Sequence, residues 1–243
     1  MNKKKIRIIS KIEIKGENVV KGRQMEGLRV VGTPKDIILN YYKDGVDEII
    51  LNDIVASLYG RNHLVSLVDE ISREIFIPLV VGGGIRNLND IERLLKVGAD
   101  KVCFNTAAVK NPKIINEAAK FFGSQCIVVE VQAKFRKSHW EVFTENGRER
   151  SYIDVNDWLK TVESEGAGEI ILTSIDHDGC MNGLSSTLYK NVSDKNNIPV
   201  IAAGGAGKIE HVEQILLNKN IDAVALSTSL HKNLISIKSL KNK

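Results

Sequence analysis

Cysteine is scarce and unpaired in this sequence. Cys103, Cys126 and Cys180 lie far apart and form no CxxC pair. Neither a disulfide framework nor a thiolate zinc site is therefore expected, and no metal or cofactor is called for. Aromatic residues make up only 5% of the chain and do not interleave with its basic residues. The one dense basic run is Lys3-Lys4-Lys5, with Arg7 just after it, and the formal net charge is a mild +4. These absences exclude an extended nucleic-acid surface as the first expectation. No segment reaches the roughly 18 apolar residues of a membrane helix, and the first residues lack the apolar stretch of a signal peptide. The expectation is a cytoplasmic protein with neither a membrane nor a nucleic acid as partner.

What is present is regular alternation. Short β-branched runs at 6–14, 48–53, 78–81, 101–105, 126–132, 169–173, 199–203 and 223–227 are separated by amphipathic stretches. This is the pattern of parallel strands joined by crossover helices. Between 88 and 97, Ile91, Leu94 and Leu95 share one helical face. Asn111-Pro112 supplies a capping residue and a first-turn proline for a helix over 112–122. Alternation over 140–144 beside polar 134–138 predicts a small hairpin after the fifth strand.

Repetition, not a linker, divides the chain. Ile77-Pro78-Leu79-Val80-Val81-Gly82-Gly83-Gly84 is echoed by Ile198-Pro199-Val200-Ile201-Ala202-Ala203-Gly204-Gly205, and Glu48-Ile49-Ile50-Leu51 by Glu169-Ile170-Ile171-Leu172. The offset is 121 to 122 residues, half of a 243-residue chain. A fixed long period means two copies of one unit. Eight strands in about 250 residues predict an α/β fold, a single (β/α)₈ TIM barrel over 1–243 made of half-barrels at about 1–122 and 123–243.

In such barrels the loops after the strands carry the site. Gly82-Gly83-Gly84 and Gly204-Gly205-Ala206-Gly207 each follow a strand and precede a helix. Glycine there lets successive N–H groups converge on an anion. One such turn is as readily a strand terminator, but two at equivalent places of a repeat point to phosphate binding. Asn105-Thr106 and Ser227-Thr228 can complete the two cradles, which suit an elongated substrate with a phosphate at each end. Glu13, Asp53, Asp176 and Asp178 stand at strand ends, as does Thr173. As bare sequence each carboxylate is as readily a loop cap as a catalyst. Gln132 is the approximate repeat partner of Glu13, and an amide exchanges no proton at neutral pH.

Taken in order, several segments resemble the cyclase subunit of imidazole glycerol phosphate synthase, a histidine-pathway enzyme family. They include Val19-Val20-Lys21-Gly22, Val81-Gly82-Gly83-Gly84-Ile85, Gly98-Ala99-Asp100-Lys101-Val102 and Asn105-Thr106-Ala107-Ala108-Val109. Further on come Phe122-Gly123-Ser124-Gln125, Gly166-Ala167-Gly168-Glu169-Ile170, Leu172-Thr173-Ser174-Ile175-Asp176, Asp178-Gly179 and Gly204-Gly205-Ala206-Gly207. The resemblance covers nearly the whole chain. It implies a glutaminase subunit docked under the barrel, with ammonia passing through the interior. At the top, ammonia meets a bisphosphorylated ribulosyl-aminoimidazole-carboxamide ribonucleotide, giving imidazole glycerol phosphate and a carboxamide ribonucleotide. It further implies an ammonia gate of Arg7, Glu48, Lys101 and Glu169, a glutaminase contact at Asp100, and a substrate-closing Lys21 in a long loop after strand one. Phosphate contacts are implied at Gly82, Asn105, Gly204, Gly205 and Thr228, with Gly83, Gly84, Thr106, Asp53, Thr173, Asp176 and Asp178 completing the expected substrate site.

The departures fall on the chemistry. The family has aspartate at positions 13 and 132, where this chain has Glu13 and Gln132 as its expected catalytic pair. Lys11 brings a charge where a small uncharged residue is usual, Glu130 points to the same side of its strand as Gln132 but deeper, and Ala203 replaces a serine. A positioned acid or base contributes about 10²–10⁴ in rate, roughly 3–5.5 kcal/mol. Ring closure should suffer while phosphate binding and ammonia conduction do not. Three functions stay open: a working cyclase relying on Glu13, a relative delivering ammonia to another acceptor such as an amidino sugar, and a scaffold for a glutaminase. The genomic neighbourhood discriminates among them.

Overall fold

The run Arg7–Lys15 forms strand β1, whose alternate side chains are forced to opposite faces by the period of two. Both faces are buried, as in a parallel sheet covered by helices. A computed structural model describes residues 6–56, 64–190 and 196–241. The basic run Lys3-Lys4-Lys5 and the final two residues of the 238–243 end lie outside the described residues. Beyond β1, the barrel strands are β4 (Glu48–Asp53), β5 (Leu79–Gly82), β6 (Lys101–Phe104), β7 (Ile127–Arg136), β10 (Glu169–Ser174), β11 (Val200–Ala203) and β12 (Ala223–Leu226). Each pairs in parallel with the next, β10 joins β7, and β12 closes on β1 through Arg7↔Ala223 to Ser10↔Leu226. The eight-stranded (β/α)₈ barrel expected from the alternation is the observed fold.

Helices α1 (Pro34–Lys43), α2 (Leu64–Ser72), α3 (Leu88–Lys96), α4 (Thr106–Lys110), α5 (Lys113–Phe122), α6 (Val155–Ser164), α7 (Ser186–Tyr189), α8 (Ile209–Leu216), α9 (Thr228–His231) and α10 (Ile237–Lys241) alternate with the barrel strands or follow the last of them, α4 and α9 being the short ones directly after β6 and β12. On α3, Ile91 and Leu94 turn inward, and Asn87 caps the helix by accepting from Asp90 N. Each fully buried Ile, Leu or Val contributes about 1.5–3 kcal/mol, so the 3.6-residue spacing fixes which face docks. The Asn111-Pro112 expectation needs correction. Pro112 is the N-cap rather than the first helical residue of α5, while Asn111 ends the short α4.

The loop expected after the first strand is also corrected. Residues Asn18–Arg23 (β2) and Glu26–Gly32 (β3) form a hairpin that extends β1 by antiparallel pairing, so Lys21 lies on a strand. At the equivalent place in the second half, β8 (His139–Thr144) and β9 (Glu149–Asp154) extend β7 in the same way. The hairpin predicted there therefore has a third strand. The repeat recurs at the barrel bottom, where Asp100 accepts from Leu79 N at 2.8 Å and Asp222 from Val200 N at 3.0 Å.

Candidate active site at the barrel mouth

The barrel axis is best followed from the bottom. Arg7, Glu48, Lys101 and Glu169 are the first residues of β1, β4, β6 and β10, and their side chains meet in a closed ring. Arg7 bonds Glu48 at 2.8 Å and also bonds Glu169, while Lys101 reaches Glu48 and Glu169 at 2.9 Å each. Burial would deprotonate Lys101, but the two carboxylates hold its pKa above the ordinary lysine value. All four residues expected at the gate are thus brought together. Asp100, beside them, is exposed with one carboxylate oxygen engaged by Leu79 N.

Above the ring the lumen is apolar, packed by Ile9, Ile50, Val80, Val128, Ile171 and Ile201. Then charge returns. Lys11 from β1 pairs with Glu130 from β7, both buried, and Glu130 also accepts from Thr173 Oγ1 at 3.2 Å, Asn52 Nδ2 at 3.3 Å and Gln132 Nε2 at 3.4 Å. Thr173 therefore faces the lumen beneath the mouth. Gln132 Oε1 is buried with no hydrogen-bond partner.

At the mouth itself, Lys21 Nζ lies 2.8 Å from Glu13 and 2.9 Å from Asp178. Glu13 Oε1 is also 3.7 Å from Lys11 Nζ. Two ammonium groups thus flank one carboxylate. Burial would raise the Glu13 pKa, but Lys21 and Lys11 outweigh it and keep the carboxylate below its ordinary range, hence ionised. Asp178 shifts the other way, because burial and the negative charge of Glu13 exceed what Lys21 returns. Lys21 is held protonated by Asp178 and Glu13 against its burial. The hairpin β2–β3 positions this lysine, with Gln24 N bonding Asp178 O at 2.7 Å across to the loop after β10.

The glycine turns flank this centre. Gly83 and Gly84 have φ of +104° and +68°, and Gly204 and Gly205 have +89° and +116°. Space forbids substitution as strictly as conformation does: a Cβ on Gly83 would sit 2.3 Å from Asp53 O, and one on Gly205 2.1 Å from Gly183 O. Gly82 is just as tight, 2.8 Å from Asn52 Oδ1. Beside each turn a short helix begins on a residue of unusual and nearly identical conformation, Asn105 at φ −121°, ψ −72° before α4 and Ser227 at −135°, −83° before α9. Neither side chain caps its helix. Asn105 Oδ1, Ser227 Oγ and Thr228 Oγ1 are buried without protein hydrogen-bond partners. Thr106 Oγ1 accepts from Glu145 N at 3.1 Å, leaving its proton for a ligand.

Two of the expected residues are engaged by backbone N–H groups. Asp53 accepts from Val55 N at 3.0 Å, the geometry of a turn cap at the end of β4. Asp176 accepts from Phe135 N at 2.8 Å, tying the loop after β10 to β7. Other contributors escaped the sequence. Glu145, in the β8–β9 turn, is buried beside the first cradle and pairs with Lys110 at 3.0 Å. His231 bonds the Tyr41 hydroxyl at 2.8 Å, and burial with the nearby Lys21 charge lowers its pKa to about 4. Neither lies in a repeated segment, in a glycine turn or in a segment that carries the family resemblance.

The geometry defines a class: a (β/α)₈ barrel with twin glycine turns flanking a carboxylate–lysine centre over a charged ring. The family model described as "Histidine biosynthesis protein" matches residues 7–236. Curated relatives called imidazole glycerol phosphate synthase subunit HisF include one from Legionella pneumophila, 52% identical over 206 residues, covering 84% of this chain and 97% of the relative. Those from Dictyoglomus thermophilum and Clostridium botulinum (strain Okra / Type B1) are 46% and 43% identical, each covering 97% of this chain and 93% and 94% of the relative. The chain belongs to the histidine biosynthesis protein family and, within it, to the cyclase subunits of imidazole glycerol phosphate synthase.

Proposed function

We propose that this chain receives ammonia from a glutaminase subunit docked over the Arg7–Glu48–Lys101–Glu169 ring and uses it at the mouth. The acceptor in this reading is the bisphosphorylated ribulosyl-aminoimidazole-carboxamide ribonucleotide, converted to imidazole glycerol phosphate and the carboxamide ribonucleotide. The observation that carries it is the pair of matched cradles on either side of Glu13, Lys21 and Asp178. Gly82, Gly83, Gly84, Asn105 and Thr106 hold one phosphate, and Gly204, Gly205 and Thr228 hold the other. Asp100 contacts the glutaminase. The three free cysteines suit a reducing compartment, the cytoplasm.

The division of labour follows from charge. Glu13, ionised between two lysines, accepts the proton that ammonia sheds as it attacks. Lys21 is the cationic partner that orients the substrate arm. Gln132 orients substrate or water through its unpaired carbonyl oxygen but transfers no proton. Asp53 and Asp176 shape the loops around the site through the backbone N–H groups they hold.

Binding tests the two-cradle reading. The bisphosphorylated substrate should bind at least tenfold more tightly than either analogue lacking one phosphate; equal binding of a monophosphate contradicts it. A second reading, delivery of ammonia to a different acceptor such as an amidino sugar, is favoured by one observation. The charge ring keeps every member, whereas the mouth has exchanged its second carboxylate for Gln132 and gained the Lys11–Glu130 pair.

A further inference from the structure

β1 and β7 are four strands apart in either direction around the barrel, so their lumen-facing side chains meet only by crossing the axis. Lys11 and Glu130 do so, both buried, on the path between the apolar layer and the mouth. The pair is held unequally. Glu130 is anchored by donors from β4, β7 and β10, namely Asn52, Gln132 and Thr173. Lys11 faces a small cavity with Ala203, and a second carboxylate, Glu13, stands 3.7 Å from its Nζ. A flexible ammonium with one carboxylate engaged and another within a small side-chain rotation is a two-position element.

The second position is controlled from outside. Glu13 is bonded to Lys21, and Lys21 to Asp178; the hairpin carrying Lys21 and the loop carrying Asp178 line a cavity that reaches Thr228 of the second cradle. An anionic substrate that draws Lys21 toward its own phosphate leaves Glu13 without that cation. Glu13 then attracts Lys11 away from Glu130, and the axis opens.

We propose that Lys11 and Glu130 form an inner gate across the barrel axis, closed by their ion pair and opened when substrate at the mouth transfers Lys11 to Glu13. This gate rests on the reading that ammonia travels through the barrel. It lies well above the charged ring and links the occupied mouth to the conduit, so that ammonia arrives only when an acceptor is in place. Lys11 is a positioning residue in this account, not a catalytic one.

The test follows nitrogen in the complete complex with its glutaminase, supplied with amide-¹⁵N glutamine, unlabelled ammonium and the bisphosphorylated substrate. Two double variants remove the charge in opposite ways. Lys11→Met/Glu130→Leu refills the lumen with apolar side chains that cannot exchange partners, and Lys11→Ala/Glu130→Ala leaves it open. The first should lower the ratio of glutamine-derived to ammonium-derived product at least tenfold, a ratio that divides out any effect of the lost Lys11 charge on Glu13 itself. The second should keep that ratio near the unsubstituted value. Thermal melting of both variants confirms that each is folded. Glutamine nitrogen incorporated equally by both double variants would overturn the gate and leave the pair as a packing feature. If the unsubstituted complex incorporates no glutamine nitrogen, the conduit reading itself fails instead.

Discussion

Glu13 sits between two ammonium groups, and its behaviour with pH follows from them. Its folded-state pKa lies below the ordinary 4.5, so the unfolded chain binds the proton more readily. The stability Glu13 contributes is complete above pH 4.5 and is lost as the pH falls through the lowered value. Glu13→Gln should therefore melt lower than the unsubstituted chain at pH 7, and the gap should narrow as both are titrated below pH 4.5. Lys11 makes a complementary case. Lys11→Met leaves Glu130 a buried carboxylate without its cation, a loss of about 3–5 kcal/mol, and adding Glu130→Leu should restore most of it in urea unfolding. Gln132 is the third. Its Nε2 is 3.4 Å from Glu130, so an aspartate introduced there would face a like charge, raising its pKa toward the range a general acid needs. Gln132→Asp should raise the cyclisation rate at least tenfold; an unchanged rate argues that the acceptor has changed. The alternation of β1 and β7 told which of these residues face inward. That Lys11 and Glu130 meet across the axis depends on barrel closure, which no local pattern encodes.

At the scale of elements, the two glycine turns were legible because the same constraint appears twice. Each turn needs positive φ, and each is hemmed in by a neighbouring carbonyl that a Cβ would strike. Gly83→Ala and Gly205→Ala should each weaken substrate binding at least tenfold. Each also costs about 1–3 kcal/mol from backbone strain alone, measurable by calorimetry alongside the binding titration. The β2–β3 hairpin was not legible. Its strand β3 carries exposed residues at most positions and so lacks the buried alternation that marks a strand in sequence. Its counterpart in the second half, β9, fails to stand out for the same reason, a mostly exposed and half-buried pattern. Helix boundaries near Asn111-Pro112 moved because that dipeptide joins two helices, and local capping preferences alone do not separate an end from a beginning.

Over the whole molecule, the 121-residue echo carried the fold, since half of a closed barrel buries its strands only against the other half. Closure then gathers Arg7, Glu48, Lys101 and Glu169 from four separate strands into one ring. Lys101→Met leaves Glu48 and Glu169 sharing only Arg7, and glutamine-driven product should fall several-fold while the ammonium-driven rate holds. The same closure sets Glu13 between the twin glycine turns, with Gln132 on the strand opposite. The most direct measurement is turnover of the bisphosphorylated substrate by the purified chain with ammonium salt, following both products by chromatography. Imidazole glycerol phosphate and the carboxamide ribonucleotide should appear in equal amounts. No turnover at high ammonia, with the substrate nonetheless bound through both phosphates, would contradict the proposed reaction.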